Sequence, residues 1–213
     1  MKKIFLIGDS IRMGYDKYVK DALANVAEVY YPEENCKFAE YVLRCAHEWK
    51  RKLELDDDID LVHWNAGLWD CLELFGDEPL TSLQYYGEAI FRIHKRLRLI
   101  FPKAKIVFAT STAVIEGKAK ELIRHNNIIE TYNERAKEVL ADTDCIINDL
   151  YPMSAKMPES YHSDATHYYT PEATELIGGR VLAVICRELG IEASEVNLEN
   201  FVPEKYTAEN IGG

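Results

Sequence analysis

A serine stands where the first predicted strand turns into a helix. The segment Gly8-Asp9-Ser10 follows an apolar run at residues 3–7, and a helical pattern begins almost at once. Free backbone N–H groups at the start of a helix favour negative charge, so an oxyanion formed by attack of this serine would find donors there. Gly8 lets the backbone turn tightly without a side chain in the way. The tripeptide alone is equally compatible with a polar loop after a strand.

An acid–histidine pair lies near the other end of the chain. Asp164 and His167 are three residues apart, so one turn brings their side chains to the same side. A carboxylate on one imidazole nitrogen fixes the tautomer and stabilises the imidazolium, while the other nitrogen accepts the proton of a serine such as Ser10. The alternative is an aspartate that caps a turn beside an exposed histidine.

Short apolar runs alternate with longer amphipathic stretches along the chain. Thr81 and Gln84 form a predicted capping box before a helix whose apolar residues recur at the spacing of a buried face. The last helix begins at Thr170, with a proline in its first turn. The predicted strands are residues 3–7, 26–31, 60–66, 105–110 and 145–150, and the predicted helices are residues 13–24, 38–53, 82–101, 123–141 and 170–189.

Five successive strand–helix units predict an α/β fold, with a parallel sheet and helices on both of its faces. In such sheets active sites lie beyond the carboxyl ends of the strands. Ser10 follows the first strand, and the Asp164–His167 pair follows the fifth. We therefore expect these three side chains to meet at one edge of the sheet, although most of the chain separates them.

The two motifs together resemble those of the SGNH (GDSL-type) hydrolase family, and the resemblance extends over roughly residues 3–189. It implies a three-layer α/β/α, flavodoxin-like fold whose five-stranded parallel sheet has the order 2-1-3-4-5. It also implies hydrolysis of acyl or acetyl esters without a metal or other cofactor. In that scheme Ser10 is the nucleophile, His167 is the general base and acid, and Asp164 orients the histidine.

The segments that supply oxyanion donors in that family are altered in this chain. After strand three, Trp69 stands where the family has an asparagine, and we expect Asn65 at the strand end to be the substitute donor. Asn65 could instead act as a strand-end cap. After strand two, Cys36 stands where the family has a glycine. The predicted oxyanion hole is therefore the backbone N–H of Ser10 together with Cys36 and Asn65.

Three further side chains are expected to bind the substrate, a small-molecule or carbohydrate ester. Asn35 could donate from its amide, and Trp69 and Tyr168 could line an acyl or sugar pocket. Aromatic residues near a cleft are more often part of the core, which is the alternative for both. Arg12 could meet an acidic substrate, but we expect it to be an exposed residue of the first helical turn.

The bulk composition limits the class of protein. The chain has 213 residues and a formal net charge of −11, which suits one domain, assigned to residues 1–190, with an acidic C-terminal tail at residues 191–213. This charge disfavours nucleic acid and anionic membrane surfaces as partners. Five cysteines without a CxxC pair indicate reduced thiols in a cytoplasmic protein. An exported protein whose signal peptide has been removed is the alternative, and the oligomeric state is not readable.

A metal-dependent hydrolase is one rival interpretation. His162, Asp164 and His167 lie close together in sequence, and Asp9 could reach the same edge of the sheet. Imidazole and carboxylate ligands would suit zinc or manganese. The cluster lacks an established ligand spacing and leaves the Gly-Asp-Ser segment unexplained, so we assign no metal.

Two other interpretations use the same fold differently. Cys36 or Cys71 could be a thiol nucleophile that borrows the same histidine, although neither precedes a helix as Ser10 does. The altered oxyanion segments motivate the second, a non-catalytic ligand-binding or assembly protein on the hydrolase fold.

Overall fold

A parallel sheet with helices on both faces positions Ser10, Asp164 and His167 at one edge. A computed structural model describes residues 1–206, so residues 207–213 of the predicted tail lie outside the described part of the chain. The strands are β1 (Lys2–Ile7), β2 (Ala27–Tyr30), β3 (Leu61–Trp64), β4 (Glu73–Leu74), β5 (Lys105–Ala109), β6 (Leu122–Ile123) and β7 (Ile146–Asn148). The helices are α1 (Ser10–Met13), α2 (Asp16–Leu23), α3 (Ala39–Lys52), α4 (Leu83–Ile100), α5 (Asn126–Leu140), α6 (Tyr151–Ser154), α7 (Pro171–Leu189) and α8 (Pro203–Tyr206).

The central sheet has the strand order β2-β1-β3-β5-β7, and all neighbouring pairs are parallel. The predicted order 2-1-3-4-5 is confirmed, because β5 and β7 correspond to the fourth and fifth predicted strands, and β4 and β6 form a separate small sheet. Strand β1 lies between β2 and β3, and its apolar residues from Ile4 to Ile7 are fully buried. A strand that is covered on both faces is expected to be continuously apolar in this way.

The helices form the two outer layers predicted from the alternating pattern. Helices α3, α4 and α5 pack side by side, and α2 packs against α7. The prediction for α7 is confirmed: Thr170 is its N-cap, accepting from the N–H of Ala173, and Pro171 occupies the first turn. Gly190 ends the helix with φ of 65°, a left-handed conformation that glycine adopts without strain.

Two predicted helices begin at different residues in the structure, and both differences lie near the candidate site. The helix predicted at residues 13–24 is two helices, α1 and α2, with a break at Gly14, which packs closely against the ring of Tyr169. The helix predicted at residues 123–141 begins later, because Leu122 and Ile123 pair with β4 in a short antiparallel ribbon. Pairing of two-residue strands has no periodic signal in sequence.

The predicted capping box at Thr81 was also wrong. Ser82 is the N-cap of α4 and accepts from the N–H of Tyr85, while the Thr81 backbone N–H donates to the carbonyl of Asp70. The carboxyl group of Asp70 in turn accepts from the N–H of Ala39 at the start of α3. Thr81 and Asp70 therefore join the loop after β3 to two helices.

The described part of the tail packs on the domain. Ser194 donates its backbone N–H to the carbonyl of Ala22 in α2, and Tyr206 in α8 is buried and stacks on Phe201. Within residues 1–206, none of the helices combines the length and the apolar character that crossing a bilayer would require.

Candidate active site

The turn after β1 presents Ser10 at the start of α1. Asp9 is the N-cap of this helix, and its Oδ1 accepts from the backbone N–H of Ile11 at 3.0 Å. Ser10 is the first residue of the helix, so its own backbone N–H has no intrahelical acceptor. The cap fixes the turn, and the turn fixes where the serine hydroxyl points.

A hydrogen-bonded chain connects Ser10, His167 and Asp164. The Oγ of Ser10 lies 2.8 Å from Nε2 of His167, and Nδ1 of the same ring lies 2.6 Å from Oδ2 of Asp164. The other carboxylate oxygen accepts from the backbone N–H groups of Thr166 at 2.7 Å and His167 at 2.8 Å. The structure thus brings together the three side chains predicted from the two motifs.

The electrostatics of Asp164 suit a carboxylate that stays ionised. Burial alone would raise its pKa, but the hydrogen bonds from the His167 ring and from the N–H groups of Thr166 and His167 outweigh burial. The pKa of Asp164 is consequently held well below its usual range. An ionised carboxylate on Nδ1 leaves Nε2 as the nitrogen that accepts a proton from Ser10.

Tyr169 contacts both Ser10 and His167. Its ring stacks on the His167 ring with centroids 4.9 Å apart and an interplanar angle of 19°. Its hydroxyl donates to the backbone carbonyl of Ser10 at 2.7 Å. Two further backbone bonds shape the loop, from Ser163 to the carbonyl of His167 and from Ile115 to that of Ala165. The imidazole is therefore restrained by its own loop and by the loop after β5.

The serine and histidine open onto a cleft with a volume of about 290 Å³. Of the three predicted substrate-binding residues, Trp69 lines this cleft. Two cationic side chains that the sequence analysis did not select, Lys118 and Arg124, line it as well. Both lie between β5 and α5, beyond the carboxyl edge of the sheet, and this is the one signal in the sequence that could have identified them.

Asn35 and Tyr168 do not line this cleft. The Oδ1 of Asn35 accepts from the N–H of Lys37 at 2.9 Å. The Tyr168 hydroxyl donates to the carbonyl of Ala113 at 2.7 Å, and its ring packs against the His162 ring with centroids 4.0 Å apart.

The two expected oxyanion donors beside Ser10 have different surroundings. The backbone N–H of Cys36 donates to the carbonyl of Gly8 at 3.1 Å and is engaged there. The side chain of Asn65 is buried beside Asp9, where burial raises the pKa of the Asp9 carboxyl group and the Asn65 amide partly opposes that rise. The Asn65 carboxamide also lies so close to Gly8 that a side chain at residue 8 would overlap it.

Arg12 was expected to be exposed, and this expectation was wrong. Arg12 is completely buried and forms an ion pair with Asp16 one turn later in the chain. Its guanidinium also donates to the carbonyl of Glu34 at 2.7 Å and to that of Gly8 at 3.3 Å. Arg12 therefore fastens the nucleophile turn to the loop after β2.

Thiol chemistry and metal binding find little support in the surroundings of the candidate groups. Burial raises the pKa of the Cys36 thiol to about 11 and that of Cys71 to about 12, so both thiols are protonated and weakly nucleophilic at neutral pH. Among residues 1–206, no three histidine, cysteine, aspartate or glutamate side chains are arranged to hold a metal ion. The His162 ring is turned onto Tyr168 and not onto the Asp164–His167 pair.

Comparisons with known proteins agree with this geometry at the level of the fold. No family model and no curated protein matches the sequence. Among solved structures, a lipase/acylhydrolase from Enterococcus faecalis is 20% identical, with a TM-score of 0.68 over 92% of this chain and 100% of that one. The acetyl xylan esterase AlAXEase is 14% identical, with a TM-score of 0.65 over 86% and 99%. A GDSL-like lipase from Bacteroides thetaiotaomicron is 15% identical, with a TM-score of 0.63 over 87% and 88%.

Likeness at such low identity concerns the backbone, and it covers nearly the full length of both chains. The chain has the three-layer fold of the SGNH hydrolases, the GDSL-like lipases and acylhydrolases, as the sequence motifs predicted.

Proposed function

We propose that this protein is a serine esterase that cleaves a small acyl ester through an acyl-enzyme on Ser10. The observation that carries the proposal is the continuous hydrogen-bonded chain from Ser10 through His167 to Asp164, with distances of 2.8 and 2.6 Å. Each distance is within the range over which a base takes a proton directly. The likeness in fold to lipases, acylhydrolases and an esterase supports the same reaction class.

Acylation begins with attack of the serine on the ester carbonyl. His167 takes the proton of the Ser10 hydroxyl as Oγ bonds to the carbonyl carbon, and the carbonyl oxygen becomes an oxyanion. Asp164 stabilises the imidazolium that results. When the tetrahedral intermediate collapses, the bond to the alcohol breaks, and His167 gives its proton to the departing alkoxide oxygen.

Deacylation repeats the sequence with water as the nucleophile. His167 removes a proton from the water molecule that attacks the acyl-enzyme, and then returns a proton to Ser10 as the carboxylic acid leaves. The enzyme is restored, and the net reaction is ester plus water to acid plus alcohol. Neither half-reaction needs an oxidant or another cofactor.

The oxyanion is held by the backbone N–H of Ser10 and the side-chain amide of Asn65. Asn65 lies beside Gly8 and Asp9, the two residues before the nucleophile. This position favours a role for Asn65 as an oxyanion donor over a role as a cap of the strand end. Cys36 is left out of this proposal because its N–H donates to the carbonyl of Gly8. Removing one donor typically lowers kcat by roughly 10²–10³-fold, so we expect that loss for Asn65→Ala.

The proposed substrate carries a short acyl group, such as acetyl, on a small molecule or a carbohydrate. The cleft of about 290 Å³ is at the small end of the range for ligand sites, and Trp69 on its wall offers an aromatic face for an acyl chain or a sugar ring. One structural neighbour is described as an acetyl xylan esterase.

We further propose a cytoplasmic location and no nucleic-acid or membrane partner. All five cysteines are free thiols in the described structure, as expected in a reducing compartment. The net charge of −11 opposes binding to phosphate-rich surfaces.

The function is tested with 4-nitrophenyl acetate and butyrate as substrates. We expect wild-type hydrolysis well above the buffer rate, and loss of most of it in Ser10→Ala and His167→Ala. Ser194→Ala, which removes a hydroxyl in the tail far from the cleft, is the matched control and should turn over as wild type does. Equal rates for wild type and Ser10→Ala would favour a ligand-binding or assembly protein on the same fold.

A further inference from the structure

Arg124 is the most unusual charged group of the cleft. It directly follows β6, and the pairing of Leu74 with Leu122 and of Glu73 with Ile123 fixes where it emerges. Its Nε donates to the carbonyl of Leu68, and its Nη1 lies 3.5 Å from the hydroxyl of Thr166. These contacts hold the guanidinium in the wall of the cleft onto which Ser10 and His167 open.

The charge of Arg124 is buried without a counter-ion. The residue is only 8% exposed, and within residues 1–206 no carboxylate lies within 4.0 Å of its guanidinium nitrogens. Asp9 and Asp164 act on it only from a distance, and burial lowers the pKa of Arg124. Burying an uncompensated charge is costly, so such a group is rarely kept without a use.

A comparison with Arg12 shows that the chain can satisfy a buried arginine when its role is structural. Arg12 is fully buried, pairs with Asp16 and donates to the carbonyls of Gly8 and Glu34. Arg124 has one carbonyl and one hydroxyl, and its Nη2 makes no hydrogen bond within the described part of the chain. The guanidinium of Arg124 therefore keeps hydrogen-bonding capacity that no protein group within residues 1–206 uses.

The cleft is locally cationic in an acidic protein. Its charged lining is Lys118, Arg124 and Asp164, and Asp164 is already hydrogen-bonded to His167. Lys118 is half-exposed at the rim and forms an ion pair with Glu159 at 2.6 Å. The protein as a whole has a net charge of −11, so general electrostatics do not account for an arginine without a counter-ion in the wall of this cleft.

We propose that the ester substrate carries an anionic group, a carboxylate or a phosphate, that Arg124 binds while Ser10 attacks the ester carbonyl. The proposal rests on the proposed esterase function. A planar guanidinium with free N–H groups suits a carboxylate or phosphate oxygen pair, and charge-assisted hydrogen bonds are the stronger kind. The anion belongs either to the acyl part of the ester or to its alcohol part.

Two matched pairs of esters distinguish these arrangements. 4-Nitrophenyl hemisuccinate carries a carboxylate on the acyl part and is compared with 4-nitrophenyl butyrate. 4-Acetoxybenzoate carries it on the alcohol part and is compared with its methyl ester. For the preferred anionic ester, kcat/KM should fall about 10- to 100-fold in Arg124→Gln, the usual effect of losing a charge-assisted bond.

The controls separate charge recognition from loss of structure. In Arg124→Gln, the ratio of kcat/KM for the anionic ester to kcat/KM for its neutral counterpart should fall about 10- to 100-fold relative to wild type. Arg124→Lys should recover part of the preference for the anion, and Arg92→Gln, which removes an exposed arginine of α4, should change neither ester. An equal loss on anionic and neutral esters, or no loss on either, would overturn the proposal.

A binding measurement keeps this result separate from failure of the esterase function. Ser10→Ala and the double variant Ser10→Ala/Arg124→Gln are titrated calorimetrically with intact 4-acetoxybenzoate and with 4-nitrophenyl hemisuccinate. Weaker binding of an anionic ester by the double variant supports the role of Arg124 even if wild type hydrolyses no ester. Equal binding of both anionic esters by the two proteins contradicts that role even if wild type is an active esterase.

Discussion

The side chains of Ser10 and His167, 157 residues apart in the chain, meet with Oγ 2.8 Å from Nε2. Ser10 lies in the turn after β1, and His167 lies in the loop before α7. The parallel sheet places both segments at its carboxyl edge. Tyr169 ties the two together, because its ring stacks on the imidazole and its hydroxyl binds the Ser10 carbonyl. The fold and short loops build this arrangement, so the contribution of each side chain can be tested by a single substitution.

Asp164→Asn should lower kcat by roughly 10²–10⁴-fold. An asparagine can neither stabilise the imidazolium nor hold His167 in the tautomer that accepts the serine proton. Steady-state kinetics on 4-nitrophenyl acetate measures the loss. Asp56→Asn is the control, since that side chain is 81% exposed and remote from the cleft. Wild-type turnover by Asp164→Asn would show that the carboxylate has no part in catalysis.

The acid limb of the pH–rate profile should reflect a single proton. Hydrogen bonds from His167 and Thr166 outweigh burial and hold the pKa of Asp164 well below its usual range. That carboxylate therefore stays ionised from about pH 8 down to about pH 4 and adds no proton of its own to the acid limb. We expect log(kcat/KM) to fall with unit slope as pH decreases. A slope of two would mean that Asp164 also gains a proton in this range, which would contradict its lowered pKa.

Gly8→Ala should both destabilise the protein and inactivate it. An added Cβ would lie 1.9 Å from Oδ1 of Asn65 and 2.7 Å from Cβ of Arg12, so the turn that carries Ser10 must shift. Overpacking of this kind costs about 1–3 kcal/mol, which urea denaturation can measure. Gly179→Ala in α7 is the matched control.

The control glycine has open space around it, with nothing within 4 Å of an added Cβ. Gly179→Ala should be neutral or stabilising by up to ~1 kcal/mol. The double variant Gly8→Ala/Asn65→Gly should regain part of the lost stability, because it removes the nearest obstacle. If Gly8→Ala is as stable and as active as Gly179→Ala, the nucleophile turn is not closely packed around Gly8.

Asp70 should make the protein less stable as pH rises towards neutral. Burial raises the pKa of this carboxyl group to about 7, whereas an unfolded aspartate titrates near 3.9. The folded state therefore binds more protons than the unfolded state between about pH 4 and pH 7, and the free energy of unfolding falls across that window.

Asp70→Asn keeps the shape of the side chain and removes its titration. The free energy of unfolding of this variant should vary less with pH, by roughly 1–4 kcal/mol between pH 4 and pH 7. Other groups also titrate there, so the informative quantity is the difference between the two proteins, measured by urea denaturation. Identical pH dependence in both would show that Asp70 is not protonated in the folded state near neutral pH.

The sheet order and the meeting of the three side chains could be predicted because they follow from general rules. Buried parallel strands are apolar runs, as in β1, and consecutive strand–helix units have one hand. Ser10 opens the helix that follows β1, and His167 lies four residues before the first residue of α7, so their edge of the sheet was predictable. Positions that depend only on such elements can be inferred from a single sequence.

The surroundings of Arg124 and Cys36 could not be predicted in the same way. Arg124 is placed by β4 and β6, whose two-residue strands pair across a long stretch of sequence and show no periodicity. The engagement of the Cys36 N–H by Gly8 depends on the local path of two loops. Both are tertiary features of irregular backbone, for which composition and spacing give no rule.

The burial of Arg12 was missed although the sequence contained a signal for it. Asp16 lies four residues after Arg12, the spacing at which side chains of opposite charge meet on a helix surface. The two residues belong to separate helices, α1 and α2, yet they still form the ion pair. Paired in this way, the arginine can be buried, whereas an isolated arginine at that position would remain exposed.

Fluorophosphonate labelling of the intact protein tests the central claim most directly, because it requires a nucleophile that is both correctly placed and activated, whatever the natural substrate is. Mass spectrometry should find one adduct per chain, on Ser10, and it should disappear in Ser10→Ala and become much slower in His167→Ala. Absence of any adduct on folded wild-type protein, or an adduct on another residue that persists in Ser10→Ala, would contradict the account.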